Sequence, residues 1–135
     1  MRLLIDSNIF LEILLDRENK ESAKKLLVQI EQHQFYISDY SLQSIGLILY
    51  RAGKADKFTD FVQDMILQPE ILVPTFLPHD AGLIFAKSTT HKLDFDDAYQ
   101  YALAEKYALQ IVSFDNDFNK TPKGKKTPAE ILAMS

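Results

Sequence analysis

The sequence predicts an α/β protein, a three-layer α/β/α domain with a central and mostly parallel sheet. Three observations carry this. Short apolar runs ending in polar residues alternate with longer segments whose apolar residues recur every three or four positions. The connections between them are short. The 135 residues suit one domain, 1–135, with a substantial core.

The first run, "RLLID" (2–6), reads as a buried strand. "SNIFLEILLD" follows as a helix with Ile9, Leu11, Ile13 and Leu14 at helical spacing, and Ser7 or Asn8 in position to cap it. A second helical pattern covers 19–32, placing Ala23, Leu26, Leu27 and Ile30 on one face. "FYIS" (35–38) is the second strand. Asp39 or Ser41 is placed to cap a third helix built on Leu42, Ile45, Leu49 and Tyr50.

Gly53 and "KADK" mark a turn, after which Phe58, Phe61, Val62, Met65 and Ile66 form a fourth helical stripe. "EILVPTF" (70–76) is a strand that Pro74 confines to a sheet edge or a strand end. Pro78 opens another helix, with Ala81, Ile84 and Phe85. The late stretch divides into a helix, "LDFDDAYQYALAEKYA", and a strand, "LQIVSFD", that ends at Asp115.

Composition excludes several classes. There is no Cys, hence neither a disulfide framework nor a thiolate metal site. Acids interrupt every apolar run, and the start of the chain lacks a signal-peptide core, so a cytoplasmic protein without membrane spans is expected. A net charge of −4 argues against a broad basic nucleic-acid face. "NKTPKGKK" nevertheless places Lys120, Lys123, Lys125 and Lys126 directly after the acidic stretch, as a local basic rim or a solvated loop.

In open α/β sheets, ligands bind beyond the carboxyl ends of the strands. Asp6 and Asp115 end strands, and Asp97 lies in the first turn of the helix that feeds the last strand. Taken singly, each has a local explanation. Asp6, Asp94, Asp96 and Asp97 suit helix caps and first turns, and Asp115 with Asp117 suits an Asx-turn. Taken together, Asp6, Asp97 and Asp115 form an all-oxygen site suited to Mg²⁺ or Mn²⁺, ions that act on phosphate substrates. His33, His79 and His91 are scattered and share no ligand spacing.

"LLIDSNIFLEILL", "LDFDDAYQYALAEKY" and "LQIVSFDNDF" resemble the signature segments of PIN-domain proteins, nearest to the VapC-like toxins of bacterial toxin–antitoxin pairs. The resemblance implies a Mg²⁺- or Mn²⁺-dependent endoribonuclease acting on RNA, a small antitoxin partner and a homodimer. It implies that Asp6, Asp97 and Asp115 are catalytic and metal-binding, with Asn8, Ser113 and Asp117 in support. The family's second acid falls where this chain has Ser44, with Asp39 and Glu12 as the nearest substitutes. A weakened PIN domain that binds RNA or protein is the alternative. A phosphotransfer domain fits less well, since no second Asp stands two residues after Asp6.

Overall fold

A computed structural model describes residues 1–134. Four strands form one parallel sheet in the order β3-β2-β1-β4, with β1 at Arg2–Ile5, β2 at Gln34–Tyr36, β3 at Ile71–Leu72 and β4 at Gln110–Val112. Seven α-helices surround it among the described residues: α1 (Ser7–Leu14), α2 (Lys20–Leu27), α3 (Asp39–Arg51), α4 (Ala55–Phe61), α5 (Ala81–His91), α6 (Phe95–Tyr107) and α7 (Pro128–Ala133). None is long and apolar enough to cross a membrane.

The three layers follow from alternation along the strands. Leu3 and Ile5 of β1, Phe35 of β2 and Val112 of β4 join a core with Ile9, Leu26, Ile45, Phe61 and Ile131. Leu4, Tyr36 and Ile111 point the other way, into a second core with Ile84, Ala98, Tyr101, Leu103 and Phe118. Thus α5 and α6 cover one face, and α1, α2, α3, α4 and α7 the other. Gly46 lets α4 close on α3, since a Cβ there would meet the Phe58 ring at 3.0 Å.

Several elements are shorter than the sequence suggests. Helix α2 stops at Leu27, and Ile30 is exposed although it fits the stripe. The third strand is confined to Ile71–Leu72, at the sheet edge as Pro74 requires. The fourth helix becomes a π-turn over Val62–Ile66. The segment at Pro78 begins as a 3₁₀ turn, and Phe85 of α5 is exposed rather than packed.

Of the three cap candidates that the sequence offers for α1, Asp6 rather than Ser7 or Asn8 takes the place, its side chain accepting from the Ser7 N–H. Ser38, rather than Asp39 or Ser41, caps α3 through the Ser41 N–H. A one- or two-residue link from strand to helix leaves the last extended residue as the only one with cap geometry.

Candidate functional site

The carboxyl ends of β1 and β4 lie side by side, because Ile5 pairs with Val112 in parallel register. The next residues, Asp6 and Ser113, therefore meet. The Ser113 hydroxyl donates to Asp6 Oδ2 at 2.7 Å, and the Asn8 amide donates to Ser113 Oγ at 3.0 Å. Asn8 Oδ1 in turn accepts the Phe114 N–H. Short links between elements leave these polar residues no other place.

Asp115 caps a 3₁₀ turn over Asn116–Lys120, its Oδ1 accepting the Asp117 N–H at 2.8 Å. This is the Asx-turn expected from "SFDND", and it folds Asp117 back beside Asp115. From the facing side, α6 contributes Asp97 in its first turn. Oxygens of Asp97, Asp115 and Asp117 lie within 4.8 Å of one another. The structure thus draws Asp117, expected only in support, into a set with two of the three principal acids. Asp6 joins through Ser113 and through charge, since it and Asp97 each feel neighbouring acids.

The electrostatics are severe. Burial, then the charges of Asp115, Asp96, Asp6 and Asp117, push the Asp97 carboxyl up to about 8. Burial also raises Asp6, against the lowering effect of hydrogen bonds from Ser113, Ser7 and Gln100. Among the described residues, one of these acids has an ion-pair partner: the Lys120 ammonium lies 3.6 Å from Asp117 Oδ1. An all-oxygen, anionic donor set whose central acid resists ionisation fits a hard divalent cation, which would supply the missing counter-charge.

Other residues singled out in the sequence lie elsewhere. Glu12 is buried and accepts the Asn19 N–H at 3.2 Å, so it anchors the loop after α1 rather than joining the acids. Asp39 accepts from Gln43 one turn along α3. Ser44 lines a surface hollow with Tyr40, Gln43 and Leu47. The lysines divide: Lys120 reaches Asp117, whereas Lys125 and Lys126 lie toward Glu130 in α7, whose carboxyl is held below its usual range first by Thr127 and to a lesser extent by these two charges. Lys123 is exposed, with its N–H on the Tyr101 hydroxyl.

One site neighbour escaped the sequence reading. Gln100, buried in α6, donates from Nε2 to Asp6 Oδ1 at 3.3 Å. Its signal was its place three residues after Asp97, on the same helix face.

The sheet order and the acids at its carboxyl edge define an α/β/α domain with an acidic site at the ends of the adjacent strands β1 and β4. The chain belongs to the PIN domain family, which it matches over residues 3–124. Its fold is that of a toxin–antitoxin complex from Klebsiella pneumoniae, at 22% identity and TM-score 0.71, covering 93% of this chain and 97% of that one. It is likewise similar to VapBC2 from Rickettsia felis bound to a promoter DNA fragment, at 13% identity and TM-score 0.73, with 93% and 97% covered. A third similar structure is the Sarcin-Ricin loop cleaving toxin VapC20 of Mycobacterium tuberculosis, at 15% identity and TM-score 0.73, with 87% and 92% covered. No curated protein matches the chain.

Proposed function

We propose that this protein is a Mg²⁺- or Mn²⁺-dependent endoribonuclease, the toxin of a toxin–antitoxin pair, acting in the cytoplasm as a homodimer. The observation that carries the reading is the convergence of Asp97, Asp115 and Asp117, with the Asp97 carboxyl pushed up to about 8 by burial and by the neighbouring acids. Membership of the PIN family and the toxins among its structural neighbours support it.

Asp97, Asp115 and Asp117 would hold the ion, with Asp6 completing the negative field. When bound, the ion neutralises charge on the phosphate and acidifies the attacking water. The protein's part is positional. Ser113 and Gln100 fix Asp6, and the Asx-turn at Asp115 fixes Asp117. Asp97 gives up its proton once its charge is compensated. Lys120 stands at the rim, paired with Asp117 and free to exchange that partner for an RNA phosphate.

An antitoxin would need an apolar surface on which to dock. Between α1, α2 and α4, an apolar groove of about 310 Å³ is lined by Phe10, Ile13, Leu14, Leu27, Phe61 and Met65, with Lys57, Asp60 and Asp64 among its charged residues. Such a groove suits an amphipathic segment of a small protein.

A second reading has one specific observation in its favour. Ser44 stands where the family's second acid is expected, and it brings no charge. A PIN domain weakened in this way would bind RNA or protein without cleaving. Asp115→Asn decides between the two. If the protein is a nuclease, metal-dependent cleavage of single-stranded RNA is lost, the fold is kept, and Mn²⁺ no longer raises the thermal midpoint. Wild-type protein that takes up no Mn²⁺ and cuts no RNA supports the binding module.

A further inference from the structure

Gln100 is only 2% exposed and belongs to the one stretch of α6 that is buried continuously, Asp97 to Ala104. Its amide has a fixed orientation. Asp6 Oδ1 accepts, so the nitrogen must face it, and Nε2 does so at 3.3 Å. The amide oxygen is thereby held close to the same carboxylate, and it has no donor. Among the described residues, Gln100 Oε1 is the one buried side-chain polar atom without a partner.

A buried acceptor left unmade is destabilising, and buried polar groups are ordinarily paired. Two simple explanations for Gln100 fall short. Packing alone favours Leu or Met beside Tyr101, Ala102 and Leu103, with no orphaned atom. Restraint of Asp6 is already supplied by the Ser7 N–H at 2.9 Å and the Ser113 hydroxyl at 2.7 Å. What remains is the free oxygen, close to Asp6, whose charge adds to those that already repel one another around Asp97. A neutral oxygen can serve a cation there without adding to that repulsion.

Resting on the reading of the acids as a cation site, we propose that Gln100 completes that site. Its Nε2 fixes Asp6, and its Oε1 serves the ion or the ion's waters in place of the acid absent at Ser44. Carbonyl oxygens of Gln are ordinary partners for hard cations, and groups that orient the ligands set affinity nearly as strongly as the ligands do.

The test is calorimetric titration of Mn²⁺ into wild type, Gln100→Leu and Gln100→Glu, with thermal midpoints measured free of the ion. Gln100→Leu should lose roughly tenfold or more in Mn²⁺ affinity. Its ion-free midpoint should hold or rise, because an unpaired acceptor has gone. Gln100→Glu should bind at least as tightly as wild type and melt lower without the ion, since a further charge joins the cluster. A Leu variant that binds Mn²⁺ like wild type overturns the proposal and leaves Gln100 a packing residue. Should the Leu variant fail to fold, Gln100→Met, which keeps the volume and removes both polar atoms, decides: Mn²⁺ binding like wild type overturns it. Wild type that binds no Mn²⁺ removes the cation site itself, and the role of Gln100 with it.

Discussion

The Ser113 hydroxyl donates to Asp6 Oδ2 at 2.7 Å while accepting from Asn8 Nδ2 at 3.0 Å and from the Asp115 N–H at 2.9 Å. One donor and two acceptor positions are all that a hydroxyl has, and every one is used. This single buried oxygen joins the end of β1, the first turn of α1 and the loop after β4. Ser113→Ala leaves Asp6 short of a donor and two N–H groups short of an acceptor. Urea denaturation should show a loss of about 1–3 kcal/mol, the range for unpaired buried groups. A variant as stable as wild type would mean that water replaces the hydroxyl without penalty.

Asp97 makes stability depend on pH in an unusual direction. Its carboxyl sits at about 8 in the folded protein against an ordinary 3.8. Between those values the unfolded chain has released a proton that the folded protein retains, so raising the pH withdraws stability. The ion-free thermal midpoint should therefore fall from about pH 4 to about pH 8, and Asp97→Asn should flatten that fall. Mn²⁺ added at pH 7 should release protons into a weak buffer, because the ion competes with the proton for the same oxygens. A midpoint that rises across this window contradicts the assignment.

Ser44 offers a route to a stronger site. Tyr40, one turn earlier on the same face of α3, packs its ring 5.7 Å from Phe95 and 5.2 Å from Tyr99 of α6. Its hydroxyl proton is held more tightly by burial and by the charge of Asp96, so this face of α3 looks toward the start of α6. Ser44→Glu should raise Mn²⁺ affinity several-fold, as ligand charge tunes hard-cation sites. It should also lower the ion-free midpoint, because a like charge approaches the cluster. No change in either quantity would place residue 44 out of reach of the acids.

The lysines separate into two groups, and RNA binding should separate with them. Lys120→Ala should weaken binding and reduce the slope of log affinity against log salt by about one, as expected for one lost phosphate contact. Lys125→Ala with Lys126→Ala should do less, since those residues lie toward Glu130 in α7 whereas Lys120 pairs with Asp117 of the acidic group. Filter binding at several salt concentrations reads both. Equal effects from the two groups would restore the whole loop as a basic rim.

The order of the elements was legible from the sequence because strand alternation and helical spacing survive at short range. Asp6, Asp97 and Asp115 were legible because a parallel sheet brings strand ends to one edge. Asp6 was legible as one of several caps for α1, whereas the cap of α3 was not: Ser38 is a strand-end residue by pattern, and only the tight connection makes it a cap. Helix α2 overran in the sequence reading because Ile30 has the right spacing, although no partner covers it. Glu12 looked available for the site, but its bond to the Asn19 N–H depends on how the chain turns after α1. Gln100 was hidden for a similar reason, since only tertiary structure reveals that its amide meets Asp6.

A parallel sheet of four strands has two borders at which another chain can add itself. One is already taken: Lys126 bridges Val112 in parallel, with the Ser113 N–H on Lys126 O and the Lys126 N–H on Ile111 O, both at 3.0 Å. The other border is β3, two residues long and followed at once by Val73 and Pro74. Neither border offers a foreign strand the run of free backbone groups on which cross-β growth begins. Among the described residues, that leaves the helical surfaces, rather than the sheet borders, open to a second copy. The short third strand and the loop returning through Lys126 act together as a guard against aggregation.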